Sequence, residues 1–336
     1  MMPYSRQRHA GCSRLVLASP LFIMLLGAAP GPVSLSVGPG ATYTSVQAAI
    51  DALPATGGEV RIAPGTYREK LTVAKPRVTL RGTGRNAAAV ALVYGDSAKS
   101  AGGTVRSATL TATGDDLRLL RLTVANDWQR DRAQARSQAV ALAVTGDRVV
   151  GDGIRLLGAQ DTLFAGKGPN KRMARQYFSN CYIEGDVDFI FGDAKAYFHR
   201  CRIHALAHDS VMYTAQSKLT REEDSGYVFD RCRLTADPGA QMISLGRAWR
   251  PYATVIYLNT RMDAPVLPEG WTEWSPGKTD TLRTATYAEY RSTGRGASPA
   301  TRTPFSQQLT ADQAARWTLS AFFKGDTAWL PRSARS

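Results

Sequence analysis

Between a short helical period near residue 50 and another near residue 310, the chain is one short β-rich run after another. EVRIA (59–63), RVTLR (77–81), VALVY (90–94), LRLTV (120–124), QAVALAV (138–144), DFIF (188–191), GYVFD (226–230) and TVIYL (254–258) are examples. Gly, Asp and Asn stand between them, the residues that turn a chain at least cost. Many short strands with no helices between them leave three solutions: a sandwich, a barrel or a β-solenoid. A weak internal repeat favours the solenoid. Cys181-Tyr-Ile, Cys201-Arg-Ile and Cys232-Arg-Leu share one form, and each follows an aromatic by three residues, Phe178, Phe198 and Phe229. The spacings of 20 and 31 residues fit one coil each, with connecting loops of different length. At the ends, TSVQAAIDALP (44–54) predicts an amphipathic helix with Val46, Ile50 and Leu53 on its apolar face and Thr44 as N-cap. LTADQAARWTLSAFF (309–323) predicts a second, with Thr310 and Gln313 at capping-box spacing.

With 43% hydrophobic and 21% charged residues over 336 positions, the composition is globular and excludes a disordered chain, a collagen-like repeat and a multi-span membrane protein. Residues 1–30 read as a signal peptide. Arg6, Arg8 and Arg14 form a basic start, Leu15 to Leu26 is mostly apolar, and Gly27-Ala28-Ala29 supplies small residues for cleavage. The apolar run is shorter than the roughly 20 residues of a membrane span. This reading makes 31–336 the mature, exported domain, secreted to the periplasm or the medium, with no stable membrane anchor. The formal charge of +14, or +11 without residues 1–30, points to an acidic partner. Dispersed basic residues and the absence of a recognition module argue against nucleic acid. Export also permits disulfides. Equivalent residues on neighbouring coils lie about 4.8 Å apart, inside the disulfide window. A Cys181–Cys201 bridge and a stack of three buried thiols are both compatible with that spacing.

Several familiar sites are missing. No GxSxG or HExxH occurs, and the four histidines form no zinc set. The segment GTGRNA (82–87) reads as a glycine turn between coils, since no βαβ unit follows. What remains is a set of polar residues inside apolar β-runs: Gln138 in SQAVAL, Gln160 and Asp161 in GAQDTL, Asp188 in DVDFIFG, and Arg247 and Trp249 in SLGRAW. Singly, each has a bland explanation. Their spacing changes this. In a solenoid, 22 residues from Gln138 to Gln160 and 27 from Asp161 to Asp188 are each about one coil, and Arg247, 59 residues beyond Asp188, is about two coils on. They would form a column on one face. One carboxylate could attack, the other could shuttle protons, the amides could support an oxyanion, and the guanidinium could orient the nucleophile.

At these residues the chain resembles the pectin methylesterases (pectinesterases), in their bacterial form. GTYREKL (65–71), SQAVAL (137–142), GAQDTLF (158–164), DVDFIFGD (186–193), TAQSK (214–218), LGRAW (245–249) and GWTEW (270–274) occur in the family's order. The resemblance implies an all-β fold, a right-handed parallel β-helix with a short N-terminal capping helix and a short C-terminal helical segment. It also implies hydrolysis of the C6 methyl esters of homogalacturonan to pectate and methanol, with no cofactor or metal, by a monomeric enzyme whose partner is methyl-esterified polygalacturonate. Position by position, Asp188 matches the nucleophile, Asp161 the general acid and base, Gln138 and Gln160 the oxyanion support, and Arg247 the arginine that holds the nucleophile. Trp249 and Phe164 match substrate-stacking aromatics. The cysteines 20 residues apart are similar to those of bacterial members, which favours the Cys181–Cys201 bridge. Three positions depart from the pattern: Ala248 replaces the usual Pro, Phe164 a common Tyr, and Asp186 a Thr or Asn. Ala248 loosens the loop under Trp249. Asp186 is expected on the solvent side, with a like charge that could raise the pKa of Asp188. Two other readings stay open: an esterase or thioesterase of this family with a changed substrate, and a non-catalytic polyuronate-binding β-helix.

Overall fold

The structure is a computed structural model that describes residues 1, 2, 4, 33–130 and 134–335. The signal-peptide reading of residues 1–30 falls almost entirely outside the described residues. From residue 33 on, the β-rich runs stack into three long parallel sheets. Sheet A has eleven strands, from Ser34–Val37 to Ser306–Gln308; sheet B has eight and sheet C six. Within each sheet the strands follow one another in chain order. One coil contributes Val149–Asp152 to sheet A, Arg155–Leu157 to sheet B and Leu163–Ala165 to sheet C, and the chain re-enters sheet A at Arg175–Ser179. This is a right-handed parallel β-helix, the hand expected of parallel crossovers.

The Phe-x-x-Cys repeat is the register of the coils. Phe178, Phe198 and Phe229 are paired residues on neighbouring sheet A strands. Their rings stack inside the helix with centroids 5.2 and 4.5 Å apart, and Tyr257 continues the stack at 4.8 Å. Two residues beyond each aromatic, and at the equivalent point of the other coils, the chain turns the corner from sheet A to sheet B through a residue at φ 50–60°: Arg121, Gly153, Asn180, Arg200, Arg231, Asn259 and Arg291. A left-handed residue at that point reverses the chain in one step. From Arg121 to Asn259, each of their N–H groups donates to a carbonyl of the following coil.

Cys181 and Cys201 are not bridged. Both are free, buried thiols, as is Cys232. Each donates to main-chain carbonyls, Cys181 to Ser179 at 3.1 Å, Cys201 to Phe178 at 3.4 Å and Cys232 to Phe198 at 3.4 Å. Thr260 takes the next rung and donates to Phe229 at 3.2 Å. The column therefore selects a small side chain with a weak donor, a role a thiol fills without oxidation.

The end helices form where the periodicity places them, with local differences. The first is Val46–Ala52, and Ser45, not Thr44, is its N-cap. Glu69 secures that choice by accepting from Ser45 Oγ at 2.7 Å and from the N–H groups of Val46 and Gln47. Val46, Ile50 and Leu53 are buried and seal the first coil. The predicted 309–323 helix begins with the Thr310–Gln313 capping box but breaks into Ala311–Ala315 and Leu319–Phe322. The break lets Phe322, Phe323, Trp329 and Leu330 cover the outer apolar face of sheet A, at Tyr177, Tyr197, Val228 and Ile256.

Candidate active site

The sheet B to sheet C connections carry the chemistry. Gln160 and Asp161 lie between Leu157 and Leu163; Asp188 lies between Gly185 and Ile190. Pairing of Leu163 with Ile190 sets Asp161 and Asp188 at equivalent points of adjacent coils. Both aspartates adopt left-handed backbone, φ 65° and 51°. Such a conformation is unfavourable for a residue with a Cβ and persists only where its surroundings impose it. Here Asp161 N–H donates to Val187 O at 3.1 Å, and Leu163 N–H to Phe189 O at 2.8 Å, which lock the turn to the next coil. Gln138 stands four residues before the preceding sheet C strand, Leu142–Val144. Its neighbour Ala139 donates to Gln160 O, and Ser107 Oγ accepts from Val140 N–H.

These side chains line one cavity of about 370 Å³. Arg247 grips Asp188 with two parallel bonds, Nε to Oδ1 at 2.9 Å and Nη2 to Oδ2 at 2.7 Å. Asp161 makes no side-chain hydrogen bond among the described residues, nor do the amides of Gln138 and Gln160, all of which border the same space. Phe164, Phe191, Trp249 and Trp274 form its apolar wall. Burial lifts the Asp161 carboxyl well above the usual aspartate range, and the like charge of Asp188 lifts it further. Burial also raises Asp188, but the hydrogen bonds and charge of Arg247 pull it back toward the ionised form. Both carboxyls remain raised, Asp161 further than Asp188, so the two adjacent groups are set apart, with Asp161 the stronger holder of a proton.

All seven residues singled out in the sequence for catalysis or substrate contact meet at this cavity. Three further points were not anticipated. Trp274, quoted only as part of GWTEW, stacks on Trp249 and lies over the Arg247 guanidinium at 4.4 Å. A second tryptophan in a loop otherwise rich in Gly, Pro and charge was the available signal. Asp186 is not on the solvent side: it is 3% exposed, caps Val187 N–H and pairs with Arg136 at 2.7 Å. Its like charge acts on Asp161, because the left-handed turn at Asp188 breaks the strand alternation that would have set the two on one face. Ala248, finally, does not displace Trp249. It is fully buried, and Trp249 N–H is tied to Gln216 O at 3.2 Å.

The pectinesterase family profile matches residues 34–326. The sequence is 34% identical over 302 residues to "Probable pectinesterase 8" of Arabidopsis thaliana, covering 86% of this chain and 73% of that one. The chain belongs to the pectinesterase family. Pectinesterase A of Emericella nidulans is 36% identical over 285 residues, 81% of this chain and 82% of that protein. The fold agrees with the pectin methylesterase from carrot (TM-score 0.81, 27% identity, 92% of this chain and 98% of that one). It also agrees with a pectin methylesterase solved in complex with a hexasaccharide (TM-score 0.73, 27% identity, 88% and 98%). Pectinesterases are carboxylic ester hydrolases, and this chain is one of them. The matches span plant, fungal and bacterial members and do not single out the bacterial form.

Proposed function

We propose that this pectinesterase removes the C6 methyl esters of homogalacturonan by an aspartyl-esterase route centred on Asp188. The observation that carries the reading is the two-bond grip of Arg247 on Asp188, one coil from a buried Asp161 whose carboxyl is raised well above the usual range and has no side-chain hydrogen bond among the described residues. Asp188 Oδ attacks the ester carbonyl carbon, and the carbonyl electron pair moves onto oxygen. The side-chain amides of Gln138 and Gln160 donate to that oxyanion. The tetrahedral centre collapses as Asp161 gives its proton to the methoxy oxygen. Methanol leaves, and an anhydride joins the substrate to Asp188. Asp161, now ionised, takes a proton from water; the hydroxide attacks the anhydride carbonyl and expels Asp188 as carboxylate. Asp161 is again protonated, so protons and electron pairs balance over the cycle.

Phe164 and Trp249 serve as stacking surfaces for the sugar rings, with Phe191 and Trp274 behind them. The +11 charge of residues 31–336 favours an acidic polymer and makes capture salt-sensitive. Together with the basic and apolar leader it supports an exported enzyme. The test is methanol release from highly methylated pectin by the purified chain, with Asp188→Ala alongside. Release by the parent and loss of at least about 10³-fold in the variant are expected. Full activity in Asp188→Ala would remove the nucleophile assignment. Absence of methanol from the folded parent would turn attention to other esters and thioesters.

A further inference from the structure

We propose that the corner between sheets A and B is a second polyuronate-binding surface, a ridge of arginines that holds de-esterified stretches of the polymer outside the catalytic cavity. It rests on the homogalacturonan reading above. Two columns of residues run side by side along this corner. The first is the left-handed column: Arg121, Gly153, Asn180, Arg200, Arg231, Asn259 and Arg291. The second lies two residues on, at the outward start of sheet B: Thr123, Arg155, Tyr182, Arg202, Arg233, Arg261 and Thr293, held in register by strand pairing. Every rung but one carries an arginine in one column or the other. The exception carries Tyr182, whose ring lies under the guanidinium of Arg155 at 5.6 Å and of Arg202 at 5.9 Å.

Two observations separate this ridge from ordinary surface charge. The first is conformational. A left-handed position favours Gly or Asn, which the chain uses at 153, 180 and 259, and disfavours a long side chain. Arginine stands there four times nonetheless. The second is electrostatic. At the left-handed corner between sheets C and A, Arg148 is paired with both Asp116 and Asp147, and Arg77 donates to Thr56 O. On the ridge, Arg121, Arg155, Arg200, Arg202, Arg231 and Arg291 have no ion pair among the described residues. The neighbouring acids are engaged elsewhere, Asp152 with Ser179 and Asn180, Asp230 with Asn259, and Asp263 with Arg233 and Arg261.

The geometry selects the ligand. Rungs repeat about every 4.8 Å, and five of the seven, those of Arg121, Arg155, Arg200 with Arg202, Arg231 and Arg291, offer an arginine with no ion pair among the described residues, in a straight line. An extended polyuronate offers one carboxylate per sugar, and only once its esters are gone. The ridge is set apart from the cavity by the width of sheet B, strands of three to four residues or about 10–13 Å. It would therefore retain product chain while the cavity works on ester.

The experiment compares the parent with the triple variant Arg200→Asn, Arg231→Asn, Arg291→Asn. Asparagine already occupies this column, so folding should be kept; an unchanged or higher Tm verifies this. Binding of fully de-esterified polygalacturonate is measured at several salt concentrations, and turnover of a short methyl-esterified hexagalacturonate reports the cavity. The expected result is an affinity for the polymer about tenfold weaker, with a shallower salt dependence, and unchanged kcat/KM on the hexamer. Unchanged polymer affinity would overturn the proposal. So would an equal loss on the hexamer, which would mean that the charges act through the cavity, or binding of duplex DNA by the parent as tight as that of polygalacturonate at about 0.15 M salt. A parent that binds the polymer but releases no methanol would instead defeat the catalytic reading and leave the ridge standing.

Discussion

Asp161 and Asp188 are the same residue type one coil apart, and one arginine separates their chemistry. Burial raises both, but only Asp188 is hydrogen-bonded by Arg247. The sign of the stability effect follows. Folded Asp161 keeps its proton at pH values where an unfolded aspartate has lost it. The folded state then binds more protons, so stability is lost as pH rises from the ordinary aspartate range, about pH 4, to the raised value. Asp161→Asn removes this liability. It is expected to raise Tm by a few degrees at neutral pH, to leave it unchanged at pH 3, and to abolish most methanol release; thermal unfolding across pH checks the first two. A gain that persists at pH 3 would assign the effect to packing instead. Asp186 adds a like charge to Asp161, and Asp186→Asn takes it away. The pKa of Asp161 should then fall, and with it the alkaline limb of the kcat/KM profile, in the direction of lower pH. A static limb would show that Arg136 already neutralises the pair.

The strand stack is where the sequence was most legible. The repeated aromatic-x-x-Cys fixed the coil length because an inward aromatic must meet its counterpart on the next rung, and Phe178, Phe198 and Phe229 do. Phe198 packs between the other two, so Phe198→Ala should cost about 3–5 kcal/mol in denaturant unfolding. A cost under about 1 kcal/mol would mean that the column can close over the gap. The cysteines were less legible, since spacing alone admits both a bridge and a donor column. With no disulfide, denatured residues 31–336 should titrate three thiols without reductant, and reductant should leave Tm unchanged. One thiol would restore the Cys181–Cys201 bridge. The site was readable wherever one-coil spacing carried it: Gln138, Gln160, Asp161 and Asp188. It was not readable where a loop brings a residue in from outside the coil period, as with Arg136, Thr104 and Val105. The side of the strand on which Asp186 falls was hidden for a different reason, a left-handed turn that no periodicity announces.

A solenoid has two open ends and, in this molecule, an apolar outer face on sheet A, and all must be covered for the stack to stay soluble. The helix Val46–Ala52 covers the first coil. The segment after Gln308 covers the outer face of sheet A, with Phe322 and Phe323 against Tyr197 at 5.8 and 6.3 Å and Arg118 donating to Trp329 O. None of the cavity's residues belongs to this segment, which lies beyond residue 308, while the site ends at Trp274. Coverage and catalysis are therefore separable. A chain ending at Gln308 would expose Tyr177, Tyr197, Val228 and Ile256 as one patch. It would also lose the burial of Phe322, Phe323 and Leu330, each worth about 1.5–3 kcal/mol. The expected outcome is a markedly lower Tm, strong binding of a hydrophobic dye and concentration-dependent association. At low temperature and low protein concentration, kcat on methylated pectin should stay near that of the full chain. Loss of kcat in truncated protein that is still folded and monomeric would show that the cover also holds the coils of the site in register.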